Sequence, residues 1–158
     1  MDKLKKVTGT WRGTYSFDAV EHMPIRDAVP FTLALKQGWF GRFTGTVTDD
    51  PVRGMPGVGT VAGRFSFPRI EFTKQMPVCY VRTTDGRSIP LREYLIEQGQ
   101  VCEQDIPHVP IFYQGEFSSR GWAQGIWIIR AGPVSLLDGR YLQIGEWRGT
   151  WSLEPGVR

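Results

Sequence analysis

Gly9-Thr10-Trp11-Arg12-Gly13-Thr14-Tyr15-Ser16 and Gly145-Glu146-Trp147-Arg148-Gly149-Thr150-Trp151-Ser152 are near-repeats at opposite ends of a 158-residue chain. In both, the aromatic and glycine positions share one parity and the threonine, arginine and serine positions share the other. That is the period-two signature of a strand with one face in a core and one in water. A strand so rich in Trp and Thr invites aggregation if its edge is left open, and pairing the two ends with each other removes both edges at once. The reading that follows is a closed antiparallel barrel.

The same alternation recurs between the ends. Phe31, Leu33 and Leu35 oppose Thr32, Ala34 and Lys36. Trp39, Gly41, Phe43, Gly45 and Val47 oppose Arg42, Thr44, Thr46 and Thr48, with Gln37-Gly38 read as a tight hairpin between these two runs. Val61, Gly63, Phe65 and Phe67 form another half-buried strand, followed by Ile70 to Thr73, 109–117, 122–130 and 145–153. Glycines on the inward parity (9, 13, 41, 45, 63, 145 and 149) suit barrel corners, where strands bend sharply or approach closely. The class is therefore all-β, an up-and-down barrel of about eight to ten strands, read as a single domain over 1–158.

One segment departs from this period. Residues 88–99 carry a capping serine (Ser88), an early proline, apolar residues at helical spacing and a terminal glycine, which predicts a short amphipathic helix. It sits in an insertion over about 77–107 that also holds both cysteines, Cys79 and Cys102. The insertion either lies across a barrel mouth or pads the outer wall.

Composition narrows the function classes. With 19 basic and 16 acidic residues the net charge is only +3, too balanced for a polyanion-binding stripe, so no nucleic-acid partner is expected. No apolar run approaches the ~20 residues of a membrane span, and no secretory h-region follows the first lysines. A cytoplasmic setting with reduced cysteines is the expectation. Cys79, Cys102, Asp105 and His108 lack the close cysteine spacing of zinc sites, and no metal is assigned.

Gly9-Thr10-Trp11 resembles the G-x-W opening of the calycins, the lipocalins, fatty-acid-binding proteins and avidins. That resemblance implies an antiparallel barrel binding a small apolar ligand. Gly9-Thr10-Trp11-Arg12-Gly13 is also similar to the opening of the haem-binding nitrobindin barrels. That family's later histidine ligand has no counterpart among His22 and His108, and no cofactor is assigned. The nearest likeness is to bacterial lipocalin-like barrels with a G-x-W-x-G-x-Y start, from which no activity carries over. A lipocalin would lay a late-strand arginine across the first-strand tryptophan; Arg148 has that location, but its parity turns it outward.

A ligand inside a barrel meets only inward side chains. Trp11, Tyr15, Trp39, Phe43, Tyr113 and Trp147 are the expected ligand-wall residues, and the interior is read as almost free of titratable groups. That composition favours binding or plain packing over catalysis. An isomerase or lyase would have to draw on Tyr113, Glu116 and His108, and a filled interior would instead suggest a structural or interaction module. Arg12, Arg42, Arg64, Glu71, Glu116, Glu146 and Arg148 read as a solvated outer wall with cross-strand ion pairs. Asp49-Asp50 read as turn initiators.

Overall fold

The structure is a computed structural model that describes residues 4–19, 27–83, 85, 87–135 and 141–155. Its strands are β1 (Gly9–Phe17), β2 (Val29–Gln37), β3 (Arg42–Asp49), β4 (Val58–Ser66), β5 (Arg69–Gln75), β6 (Tyr80–Arg82), β7 (Ser88–Pro90), β8 (Ile111–Phe117), β9 (Ala123–Ile129), β10 (Gly132–Ser135), β11 (Tyr141–Ile144) and β12 (Trp147–Leu153). Eight of them close into an antiparallel barrel in the order β1-β12-β9-β8-β5-β4-β3-β2.

The terminal near-repeats form the closing seam. Tyr15 stands opposite Trp151, and Phe17 opposite Gly149. Gly149 is required there, because a Cβ at that position would overlap the Ser16 carbonyl oxygen on β1 and the Trp127 indole. Gly13 meets the same constraint against the Ser152 carbonyl. Gly145 does not belong with them: it precedes β12, and nothing lies within 4 Å of where its Cβ would sit.

The inward parity is filled by a continuous core running from Trp11, Tyr15 and Phe31 round to Tyr113, Trp127 and Trp151. An eight-stranded barrel is just wide enough for its side chains to meet in the middle. Phe31 and Tyr113 lie on strands at opposite points of the ring, yet their ring centroids are 6.5 Å apart. Phe72 on β5 reaches Trp151 on β12 at 5.7 Å.

Three local expectations are corrected. The β2–β3 connection is not a two-residue turn. Gly38 precedes a single 3-10 turn, Trp39–Gly41, in which Phe40 (φ 55°) and Gly41 (φ 73°) both adopt left-handed backbone. That reversal takes Trp39 out of the strand, and β3 begins only at Arg42. The helix is α1, Leu91–Glu97, burying Leu91 and Leu95 one turn apart. Ser88 does not cap it, since Ser88–Pro90 is drawn into pairing with Tyr80–Arg82 and Pro90 precedes the helix without a side-chain cap. Finally, the hairpin β10–β11 stands where the period-two reading found no strand.

Cys79 and Cys102 are both free and half-buried. Among the described residues no helix is long and apolar enough to cross a membrane.

Candidate functional site

The two ends of the barrel differ in chemistry. One end holds the β2–β3 and β4–β5 turns and is plugged by Trp11, Phe43, Phe65 and Phe117. Trp11 and Phe65 both pack edge-on against Phe117, at 5.4 and 5.5 Å. The Trp11 indole N–H donates to the Val7 carbonyl at 2.8 Å, which fixes the ring against the segment leading into β1. Arg148 stands exposed beside Glu146 at 3.1 Å, so no arginine crosses the Trp11 ring from β12.

The opposite end holds a polar cluster within the core. β3 carries its inward row Phe43, Gly45, Val47 one step further, to Asp49. β5 carries Ile70 and Phe72 one step further, to Lys74. Asp49 and Lys74 are the only polar or charged side chains in the buried set among the described residues, and Lys74 is 1% exposed. Lys74 Nζ donates to Asp49 Oδ1 at 2.5 Å. The Tyr15 hydroxyl donates to Asp49 Oδ2 at 2.9 Å, and the Met55 backbone N–H donates to the same oxygen at 3.3 Å. Asp49 thus has both oxygens engaged, as a buried carboxylate must.

Lys74 is less fully satisfied. Among the described residues Asp49 is its one hydrogen-bond acceptor, and two of its three N–H groups have no such partner. Those groups face aromatic surfaces, with Nζ lying 4.8 Å from the Tyr15 ring centroid and 5.9 Å from that of Phe31. Because β5 and β1 are opposite in the ring of strands, the Lys74–Tyr15 contact spans the barrel. Burial lowers the Lys74 pKa below its usual value, opposed by the Asp49 charge and hydrogen bond.

The surroundings of the pair come from two loops. Asp50 organises the β3–β4 connection by accepting from the backbone N–H groups of Val52 and Arg53 at 2.9 and 3.0 Å. In Asp49-Asp50, therefore, the second residue builds the turn and the first enters the core. The segment before β8 folds back on the end of β5: the His108 N–H donates to the Met76 carbonyl at 3.2 Å, and the Gln75 side chain donates to the His108 carbonyl. His108 Nδ1 bonds the Val109 carbonyl at 2.6 Å, which fixes the proton on Nδ1. Burial pulls the His108 pKa below 6.5, with smaller contributions from Lys74, which lowers it, and Asp49, which raises it. Half-buried Phe17, Met55, Val109 and Trp147 pack on the core near this end.

The six expected wall residues therefore do not line one site. Trp11 and Phe43 belong to the plugged end, while Tyr15 is in the polar cluster. Tyr113 is buried mid-barrel, stacked on Phe72 at 4.7 Å, and its phenol pKa is raised chiefly by burial, which keeps it a neutral hydroxyl. Trp147 is half-buried beside Phe17, at 6.2 Å. Trp39, expected inward, is 87% exposed at the hairpin tip. The acid–base set fares no better, because Glu116 is exposed on the outer wall while Tyr113 faces inward.

The interior also holds two charged groups, Asp49 and Lys74, that are not among the residues expected to face inward. Asp49 and Lys74 continue two period-two rows, but each stands alone at a strand end, where the sequence carries no sign that the row stays inward. Among the described residues no cluster of three or more His, Cys, Asp or Glu side chains could hold a metal ion. His22 lies outside the described residues. An open concavity of about 720 Å³ lies on the outer wall, bordered by Arg64, Glu71, Glu116 and Ile126 where Gly115 faces Gly125.

No family model, curated protein or solved structure matches the chain.

Proposed function

We propose that this chain is a calycin-like binding barrel that takes up a small apolar molecule carrying one neutral hydrogen-bond acceptor, such as a carbonyl. The observation that carries the reading is Lys74, a core lysine with two N–H groups lacking a hydrogen-bond acceptor among the described residues. Asp49 already neutralises its charge, so a neutral head suits the site better than an anionic one. Phe17, Met55, Val109 and Trp147 supply apolar surface for the body of the ligand. A second reading, a filled barrel that acts through its outer surface, is favoured by the ring contacts that span the lumen.

The test is competition against the fluorescent apolar probe N-phenylnaphthylamine by a medium-chain methyl ketone and by the hydrocarbon of equal length. The wild type is expected to prefer the ketone by about tenfold or more, the worth of a hydrogen bond from a charged donor. The double variant Asp49→Leu/Lys74→Met, which replaces the whole pair with apolar side chains, is expected to lose that preference and keep the probe. An equal preference in both proteins overturns the assignment of Lys74. A wild type that takes up no probe favours the filled barrel.

A further inference from the structure

The plugged end of the barrel carries an unusual tip. Trp39 and Phe40 are 87% and 94% exposed, side by side at the apex of the β2–β3 hairpin, and make no contribution to the core. Isolated surface aromatics are common, but these two are presented on a constrained backbone. Phe40 holds a left-handed conformation, which costs energy for a residue with a Cβ. Gly41, also left-handed, is pressed so close to the Phe65 carbonyl that a Cβ there would overlap it.

Basic side chains flank the tip. Lys36 ends the outward row of β2, and Arg42 opens β3 directly opposite Arg64 on β4. A like-charge pair across two strands weakens a sheet. Glu71 flanks Arg64 on its other side, but Arg42 has only Arg64 as a charged neighbour in the strand register. Lys5 and Lys6 are exposed and lie beside the same hairpin, because the Val7 N–H donates to the Gln37 side chain at 2.9 Å and the Gln37 N–H to the Thr8 hydroxyl at 3.0 Å. Among the described residues none of these five cations is in an ion pair.

Neither the exposed aromatic pair nor the opposed arginines help the barrel fold, and together they match one surface. We propose that the Trp39-Phe40 tip inserts into the interface of an anionic phospholipid membrane, with Lys36, Arg42, Arg64 and the Lys5-Lys6 pair on its headgroups. Tryptophan favours this boundary because its ring is apolar with a polar edge. Basic residues held at an anionic surface add about fivefold each to the partition. Charge complementarity favours the membrane over an apolar protein groove, which would have to desolvate the same cations. Docked this way, the end bearing Asp49 and Lys74 points away from the bilayer.

The test is co-sedimentation of the full chain with vesicles of phosphatidylcholine alone and of phosphatidylcholine mixed with phosphatidylglycerol. Wild type is expected to pellet with the mixed vesicles, with a blue shift in tryptophan emission, and to be released by salt. Trp39→Ser/Phe40→Asn is expected to stay in the supernatant with unchanged circular dichroism. Arg42→Gln/Arg64→Gln is expected to lower partition by about twenty-fivefold, two factors of five. Wild type that ignores both vesicle types, or a tip variant that still pellets, overturns the proposal. Binding to a single-stranded RNA in preference to the mixed vesicles assigns the tip to nucleic acid and overturns it equally.

Discussion

Lys74 and Asp49 show why a buried ion pair is weak evidence for stability. Each charge gives up hydration on entering the barrel, and their attraction mainly offsets that loss. Removing one partner strands the other, so Asp49→Ala is expected to cost about 3–5 kcal/mol in denaturant unfolding. Replacing both, as Asp49→Leu/Lys74→Met, is expected to restore stability to near wild type. A double variant as unstable as Asp49→Ala would mean the pair holds the barrel together. His108 gives a pH signature at the same end. Its folded pKa lies below the unfolded 6.5, so the unfolded chain takes up a proton first as pH falls. Its contribution is fully present above pH 6.5 and declines as pH drops from there through the lower folded value. His108→Gln is expected to remove that part of the slope in a melting-temperature series.

At the scale of elements, the seam between β1 and β12 tests how closely the strands approach. Gly149→Ala is expected to cost about 1–3 kcal/mol, the range of overpacking, because the new methyl meets the Ser16 carbonyl and the Trp127 ring. Gly145→Ala, four residues earlier in the same repeat, is expected to change stability by less than about 0.5 kcal/mol. Equal effects in chemical denaturation would show that the seam is not packed this way. The repeat made the seam legible in the sequence, because pairing of the two ends follows from parity and edge protection alone. The difference between its two glycines was not legible, since it depends on the barrel's stagger. Trp39 was misplaced for a related reason: parity carries through a two-residue turn but not through one that spends two residues in left-handed backbone. Ser88 looked like a helix cap because Ser-x-Pro suits either a cap or a strand end, and only pairing with Tyr80–Arg82 decides between them.

Across the whole molecule the barrel has an aromatic-plugged end bearing the basic tip and an opposite end bearing the buried pair and the long loops. The candidate site was hidden from the sequence by its position. A lone Asp and a lone Lys at the ends of two strands look like solvated termini until the barrel closes and their side chains meet beneath the β3–β4 loop, with β4 between their strands. Trp11→Ala, which opens the plug, is expected to destabilise the fold by about 3–5 kcal/mol, read by calorimetry; a near-neutral result would contradict the inward placement of that ring. The ligand reading rests on one amine. Lysine-selective NMR, with the Lys74 signal assigned from its absence in Asp49→Leu/Lys74→Met, follows that amine directly while the methyl ketone is added. The expected result is a saturable shift of the Lys74 resonance alone, complete near one equivalent of ligand. A Lys74 signal that stays fixed, or moves only in step with the surface lysines, would contradict it.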